Sequence, residues 1–362
     1  MPGKFSLRSF TDIDLSDSFF NSLKNDYQGS SKTTEFNAWF KAKAAEGRSA
    51  LVFDDEEGLG AFIAIKHECE RIELDEKTMP AIERMKISTF LISPRYRGQR
   101  LGEGAIGLVL WKWQDWGCDE VYVTVFETHN DLISQLEKFG FELAGHRDGE
   151  CVYVKSRKRI DYSDAYKSFP FVKPNFDEAG YIAVNDYFHN TLFPYSELRR
   201  RTTPKIILDV SNGISKTYIG SSTSQLGFKA GDPVFIYSKH TGNGQPGYKS
   251  CVTTYCIVKD IVQVKQHGRA LLSYEEYLAR ISNKSVYDPI ELQNQYNNKS
   301  SLILIELVYY GFFGAGNNLN WVWLKNNGCW ENSHPLMQRL TKEQFKKILK
   351  AGNLDVSNVI ID

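Results

Sequence analysis

The stretch that most constrains the fold is residues 93–107, which read SPRYRGQRLGEGAIG. An apolar, β-favouring run at 87–92 leads into it, and Pro94 ends that run because proline cannot donate to a sheet ladder. Beyond the glycines, apolar side chains recur at helical spacing, at Ile106, Val109, Leu110 and Trp113. The sequence therefore predicts a strand, a tight glycine loop and a helix that begins at the loop.

Such a loop directs unpaired backbone N–H groups, at the positive end of a helix dipole, towards a phosphate-type anion. Glycine suits this place because it has no Cβ to keep the backbone away from a ligand. Arg95, Arg97 and Arg100 add positive charge. The spacing is neither that of a P-loop, which needs Lys-Ser or Lys-Thr after the last glycine, nor the dinucleotide pattern G-x-G-x-x-G. An ordinary strand-to-helix turn is the alternative.

The loop reads Gln-x-x-Gly-x-Gly at Gln99, Gly102 and Gly104, after a Pro-x-Tyr-Arg-Gly lead-in. This pattern resembles the acyl-coenzyme A pyrophosphate loop of the GNAT superfamily of N-acetyltransferases. A second motif, LEKFGF at 136–141, resembles the end of the helix that follows the fifth strand in that family. The order of elements predicted over residues 5–157, with its first two helices at 16–27 and 34–46, is also the GNAT order.

The resemblance implies a domain that binds acetyl-CoA and transfers the acetyl group to an amine. It also implies that two parallel strands separate beside the loop, so that the pantetheine arm pairs with the backbone of 90–92. Asn130, just after the fifth strand, has the position of a family cofactor contact, with a helix cap as the alternative. The cofactor-binding residues expected are Leu91, Ile92, Arg97, Gly98, Gln99, Arg100, Leu101, Gly102, Glu103, Gly104, Ala105 and Asn130.

Acetyl transfer to an amine needs a base for the amine proton, and an acid helps the thiolate to leave. By the resemblance, Leu136 occupies the usual position of the acid and Ser88 that of the carboxylate base, and neither suits the role. The candidate catalytic residues are instead Glu83, before the phosphate-loop strand, and Glu127 and His129, after the next strand. His129 has a suitable intrinsic pKa, but an exposed loop histidine is an equal interpretation. A water chain to either glutamate is a further alternative.

Composition limits the classes of protein to which the chain can belong. A chain of 362 residues with 42% hydrophobic and 24% charged residues predicts two soluble globular domains. There is no apolar run of about 18 residues and no signal-peptide core at the start, so we expect a cytoplasmic protein without a membrane span. The six cysteines form no C-x-x-C pair, which predicts reduced thiols and no metal site. A formal net charge of zero means that nucleic-acid binding would need a local patch.

The predicted fold class is α+β in three parts. A GNAT mixed sheet flanked by helices is expected at 1–157, an aromatic-rich linker at 158–203 and a β-barrel domain with helices at 204–362. In the last part, short strands separated by Gly, Ser and Asn, with one internal helix at 272–281, indicate a small barrel. The sequence GDPVFIYS at 231–238, followed by a glycine-rich loop and a long strand, resembles the PUA-like fold, which includes ASCH and EVE domains.

PUA-like folds commonly bind RNA or modified bases in a groove, so this resemblance implies a nucleic-acid partner. Lys216, Tyr237, Lys239 and Trp321 are the expected contacts, because rings stack on bases and cations hold phosphates. Burial in the core is the alternative for Trp321. The predicted function is an acetyl-CoA-dependent N-acetyltransferase whose barrel recruits RNA or an RNA-associated amine. The alternatives are a non-catalytic acyl-CoA sensor that contacts nucleic acid, and a toxin that acetylates aminoacyl-tRNA.

Overall fold

The computed structural model describes residues 5–29, 36–196, 209–221, 225–331 and 334–361. Its contacts divide the chain into two compact units. Within the described ranges, no helix is both long and apolar enough to cross a membrane. The first unit comprises Met1–Val109, Cys118–Glu137 and Phe141–Lys158, and the second comprises Leu110–Gly117, Lys138–Gly140 and Arg159–Asp362.

Strands dominate the chain before Arg159. The elements in chain order are β1 (Ser6–Ser9), α1 (Asn21–Gly29), α2 (Phe36–Ala45), β2 (Ser49–Asp55), β3 (Gly58–Glu68), β4 (Ile72–Glu73), β5 (Thr78–Met79), β6 (Arg84–Ile92), α3 (Leu101–Trp116), β7 (Glu120–Val125), α4 (Asn130–Lys138), β8 (Glu142–Arg147) and β9 (Glu150–Ser156). Seven of these strands form one mixed sheet in the order β1-β2-β3-β6-β7-β9-β8, and β4 pairs with β5 separately.

Phenylalanine rings fill the space beneath α1 and α2. The helix predicted at 16–27 forms later, as α1, after a 3-10 turn at Ser18–Phe20. The helix predicted at 34–46 is α2, and its inward residues meet the sheet as the spacing indicates. The rings of this core are each at most 3% exposed and belong to Phe10, Phe20, Phe36, Phe40 and Phe62.

The parallel strands β6 and β7 are paired over only part of their length. Arg84–Ile87 pair with Glu120–Val123, and the pairing ends there. Strand β6 continues to Ile92, where it is still paired on its other edge with Ala61 of β3. Beyond Ile87, therefore, β6 and β7 separate, as the family resemblance implied.

The second unit holds a sheet and several short helices. Its elements are α5 (Ala165–Ser168), β10 (Gly180–Asn185), α6 (Asp186–Leu192), β11 (Ser215–Gly220), β12 (Pro233–Lys239), α7 (Pro246–Lys249), β13 (Cys251–Gln266), β14 (Arg269–Ala270), α8 (Tyr274–Ile281), α9 (Pro289–Asn298), β15 (Leu302–Phe312), β16 (Leu319–Asn320), α10 (Trp321–Asn326), α11 (Lys342–Ala351) and α12 (Val356–Val359). The strand order is β10-β12-β13-β15-β11, and both β14 and β16 pair with β13.

The second unit differs from the prediction in two ways, one in the barrel and one in the linker. In the described ranges the strand order ends at β10 on one side and at β11 on the other, so these strands form an open sheet. The segment predicted as a linker, moreover, supplies β10, which pairs in parallel with β12. Residues 159–196 therefore belong to the second unit, because their apolar run completes its sheet.

Some predictions concern residues that the structure does not describe. The arginines at 199–201, near the end of the predicted linker, lie outside the described ranges. The run KIILDV at 205–210 predicts a further strand, and most of it also lies outside those ranges. The described end of that strand is instead a 3-10 turn, Asp209–Ser211. The sequence TKEQ at 341–344 predicts a capping box at the start of the last long helix, and the structure confirms it. The Thr341 side chain accepts from the amide of Gln344, and the Gln344 side chain in turn accepts from the amide of Thr341.

A buried histidine makes the second unit sensitive to acid. His189 is 0% exposed and hydrogen-bonds Thr253 through Nε2 at 2.7 Å. Burial lowers the pKa of His189 to about 4, so the folded state binds fewer protons than the unfolded state between that pH and the ordinary value near 6.5. Its contribution to stability is complete above pH 6.5 and is lost as the pH falls towards 4.

We expect wild-type protein to lose about 3 kcal/mol of unfolding free energy through this group between pH 7 and pH 4. His189→Gln removes the titration and should flatten this part of the pH profile, measured by urea unfolding at several pH values. His267→Asn, at an exposed position in the same unit, is the control and should leave the profile unchanged. An unaltered slope in His189→Gln would contradict the assignment.

Candidate active site

The predicted strand, loop and helix are present. After β6, the Ser93 amide donates to the Gly60 carbonyl at 2.8 Å, and a 3-10 turn follows at Pro94–Tyr96. The chain then passes through left-handed conformations at Gly98 (φ 76°) and Arg100 (φ 61°) before α3 begins. Glycine is the residue that adopts the first of these conformations without steric cost.

The backbone amides from 99 to 105 were expected to bind an anion together, but two of them have partners within the protein. The Gln99 amide donates to the Tyr96 carbonyl at 3.1 Å, and the Gly104 amide donates to the Arg100 carbonyl at 3.2 Å. Those two donors are therefore engaged within the protein.

Leu101 and Gly102 are the first two residues of α3, where backbone N–H groups have no partner within the helix. A Cβ added at Gly102 would meet no protein atom within 4 Å. Open space therefore lies next to the positive end of this helix, at the position where a diphosphate would bind.

The three arginines have different roles. Arg95 donates to Asp55 at 2.7 Å, and Arg100 donates to Glu103 at 2.9 Å, so both are held by carboxylates of the protein. Arg97 is exposed and has no ion pair within the described ranges. The positive charge available to a ligand at this loop comes mainly from Arg97.

The other predicted cofactor residues are placed as follows. The side chain of Gln99 donates to the Arg95 carbonyl at 2.9 Å and so braces the loop. Asn130 is the first residue of α4, is exposed and makes no capping hydrogen bond among the described residues. Leu91 and Ile92 are half-buried, and Gly98 is exposed. The four remaining positions are buried: Leu101, Glu103, Gly104 and Ala105.

Glu83, one of the three predicted bases, lies far from the phosphate loop. Glu83 precedes the first residue of β6, whereas the phosphate loop follows its last residue, so the two lie at opposite ends of the strand. Its carboxylate pairs with His67. The predicted acid position is also unsuitable, because Leu136 is apolar and 1% exposed.

Glu127 lies two residues beyond β7, next to groups that the sequence did not indicate. Its carboxylate is 3.7 Å from Nε2 of His146 and 3.9 Å from Sγ of Cys151. The backbone amide of His146 donates to Glu76 at 2.9 Å, and Nδ1 of His146 lies 2.7 Å from the same carboxylate. These two contacts lower the pKa of Glu76 to about 2, and the side-chain contact raises the pKa of His146. His129 is exposed nearby in the chain, and its amide donates to the Phe126 carbonyl.

Three of these side chains have a spacing that a metal ion accepts. The ligand atoms of Glu127, His146 and Cys151 all lie within 4.8 Å of one another. Carboxylate, imidazole and thiolate are ligands of zinc, and Glu76 would orient the imidazole from its other nitrogen. The sequence predicted no metal site, because these residues come from three separate segments.

Two of the four predicted nucleic-acid contacts are buried. Lys216 is 1% exposed, and its ammonium donates to the carbonyls of Val210 and Gly213. Tyr237 is 8% exposed and packs on the ring of Trp330, with centroids 4.7 Å apart. These two predictions are corrected, since neither side chain reaches solvent enough to stack on a base or hold a phosphate.

The other two contacts remain accessible. Lys239 is exposed, and Trp321 is half-buried with the Lys325 ammonium 5.1 Å from its ring centroid. Elsewhere in this unit, the predicted Gly231-Asp232 turn lines a cavity of about 320 Å³. Asp232 itself is 3% exposed and accepts from the Lys229 amide at 2.9 Å.

Comparison with known proteins gives the class of the first unit. Residues 15–141 match the model of the Acetyltransferase (GNAT) family. This part of the chain is therefore a GNAT acetyltransferase domain, which confirms the resemblance over those residues. The match assigns acetyl transfer from acetyl-CoA to this domain.

No curated protein has a sequence that matches the chain. Among solved structures, a GNAT-family acetyltransferase from Listeria monocytogenes is 16% identical, with 42% of this chain and 94% of that chain covered and a TM-score of 0.31. The PaiA N-acetyltransferase from Thermoplasma acidophilum, in complex with coenzyme A, is 15% identical over 42% and 99%, with a TM-score of 0.31. A ZmASCH mutant protein from Zymomonas mobilis is 13% identical over 48% and 94%, with a TM-score of 0.32. We draw no conclusion from similarities at this level.

Gly102→Ala should weaken the binding of acetyl-CoA without destabilising the fold. Alanine favours the helix by up to about 1 kcal/mol, so the melting temperature should stay the same or rise. The new methyl group enters the open space beside the helix, and the Kd for acetyl-CoA, measured by calorimetry, should increase at least tenfold. Ser134→Ala, at an exposed position on α4, is the control for both measurements. An unchanged Kd in Gly102→Ala would place the diphosphate elsewhere.

Proposed function

We propose that the first unit holds acetyl-CoA between the separated ends of β6 and β7 and transfers its acetyl group to an amine. The observation that carries the proposal is the end of strand pairing at Ile87 and Val123, while β6 continues towards the phosphate loop. An extended pantetheine arm fits the free edge of β6, as an added strand does in β-augmentation. The diphosphate then lies at the first turn of α3, beside Gly102 and Arg97.

The chemistry is a direct attack of a neutral amine on the thioester. A carbon–nitrogen bond forms, the carbon–sulfur bond breaks, and the amine proton passes to a base while the thiolate leaves and takes up a proton. No covalent enzyme intermediate is needed. Glu127 is our candidate for the base, with His146 and Glu76 as the groups that position it, because the segment after β7 borders the point of separation. His129 is the second candidate.

Glu127→Gln removes the proton acceptor while it keeps the size of the side chain. We expect kcat, measured as free thiol released from acetyl-CoA over a panel of primary amines, to fall by roughly a hundredfold or more. The KM for acetyl-CoA should stay within twofold. Asp148→Asn, the same change of charge in the β8–β9 turn, is the matched control and should retain wild-type kcat.

Two further results would contradict this assignment. If Glu127→Gln kept the wild-type kcat, Glu127 would not be the base. If a chelator abolished activity and zinc restored it, the cluster of Glu127, His146 and Cys151 would hold a metal ion instead. Binding of acetyl-CoA without thiol release for any amine would favour the acyl-CoA sensor, an alternative with which the buried Leu136 is compatible.

We further propose that the chain consists of the GNAT domain at 1–157 and a PUA-like domain in the second unit that recruits a nucleic acid or a nucleic-acid-associated substrate. The Gly231-Asp232 turn and its cavity support the fold assignment, and the accessible Lys239 and Trp321 support the binding role. Retention of labelled RNA on immobilised protein, reduced in a Lys239→Ala, Trp321→Ala double variant, is the expected result. Equal retention by the double variant would contradict the proposed contacts.

If expression of the protein arrests growth, the aminoacyl-tRNA toxin becomes the favoured form of this proposal.

A further inference from the structure

A polar cavity of about 160 Å³ lies against the sheet of the first unit. Lys86 and Ser88 of β6 line it from the sheet, and Trp39 of α2 lines it from the opposite side. Ser88 is the first residue of β6 beyond the last pair with β7, which is Ile87–Val123. The cavity therefore adjoins the point where the two strands separate.

Positive charge predominates in the lining of this cavity. Its charged side chains are four cations and one carboxylate, namely Lys43, Arg48, Lys66, Lys86 and Glu68. Three of the cations have partners within the protein. Lys43 and Arg48 both pair with Glu46, at 2.6 and 3.2 Å, and Lys66 pairs with Glu68 at 2.9 Å.

Lys86 is the exception. It is half-buried, and no described carboxylate lies within ion-pair distance of its ammonium, which is 5.6 Å from the centroid of the Tyr122 ring. The hydroxyl of Tyr122 donates to Glu68, so that nearby carboxylate is already engaged by Tyr122 and Lys66. An ammonium withdrawn from water without a counter-ion is costly, and an anion in the cavity would reduce that cost.

The charges around Lys86 are mixed at longer range. Burial lowers the pKa of Lys86, and the like charges of Arg147 and Lys66 act in the same direction. Glu68 and Glu150 act in the opposite direction. The nearby carboxylates thus compensate only part of the cost of burying the Lys86 ammonium, so a further negative charge in the cavity would stabilise it.

We propose that this cavity binds an anionic group of the acceptor, a carboxylate or a phosphate, with Lys86 as its cationic contact. The inference rests on the proposed function, because it takes the separation of β6 and β7 as the place of the thioester. Lys86 and Ser88 both line the cavity and are two residues apart on β6, a separation of roughly 7 Å in extended chain. This spacing suits a small acceptor whose amine and anionic group are separated by only a few bonds.

The size of the cavity supports a small acceptor. Pockets for drug-sized ligands occupy roughly 300–1,000 Å³, and this one is well below that range. A compact amine with one anionic group fits a cavity of this volume.

Matched amines test the proposal. β-Alanine is compared with β-alaninamide, and O-phosphoethanolamine with ethanolamine, so that the two arms distinguish carboxylate from phosphate. With each amine, thiol release is measured, and binding to the CoA-saturated protein is measured separately by calorimetry. We expect kcat/KM and affinity at least tenfold higher for the anionic member of one pair. Equal or better use of both neutral amines would overturn the proposal while leaving the acetyltransferase assignment intact. Tight binding of an anionic amine without turnover would support the cavity assignment and contradict the proposed function.

Lys86→Met tests the named contact. Methionine keeps the apolar stem and removes the charge, so the melting temperature should stay the same or rise. We expect kcat/KM for the anionic amine to fall at least tenfold, to the level of its neutral partner, with unchanged KM for acetyl-CoA. Lys112→Met, a change of the same kind on α3 outside the cavity, should retain the preference for the anion. Retention of that preference by Lys86→Met would overturn the proposal.

Discussion

The proposed active site depends on the separation of two strands that begin as a parallel pair. Strand β6 remains paired with β3 as far as Ile92, so it stays extended and rigid after it leaves β7 beyond Ile87. Backbone groups on the freed edge need hydrogen-bond partners, and a ligand with amide groups along an extended chain supplies them. The proposed site draws on three features: the first turn of α3, the segment that carries Glu127, and the cavity at Ser88.

The local parts of this site could be predicted from sequence. Pro94, the glycine spacing and the apolar face of α3 each act over a few residues, so the turn after β6 and the helix that follows it were predicted correctly. The pair of Glu76 and His146 was missed, because its members are 70 residues apart and meet only when the sheet has formed. Glu83 is close to the loop motif in sequence, but the nine residues of β6 between them are extended. Glu83 therefore lies at the other end of the strand from the loop.

The second unit shows what a pattern of short strands leaves undetermined. Such a pattern indicates how many strands there are, but whether they close into a barrel depends on pairings between distant segments. The parallel pairing of β10 with β12 is an example, since parallel neighbours require a long crossover and leave no turn signal. Lys216 illustrates the same limit for a single side chain, because its long stem is buried and its ammonium is held by two carbonyls that the local sequence does not reveal.

Asp55, in the hairpin between β2 and β3, links that hairpin to the phosphate loop. Its carboxylate accepts from the guanidinium of Arg95 and from the hydroxyl of Tyr96, and Tyr96 packs where a side chain on Gly60 would collide with it. These contacts fix the lead-in to the loop while the protein folds, before any cofactor arrives. Cofactor association then bears little entropic cost of ordering this segment. The encounter with acetyl-CoA should accordingly proceed as the docking of a ligand onto a preformed cradle, without a slow rearrangement that limits its rate.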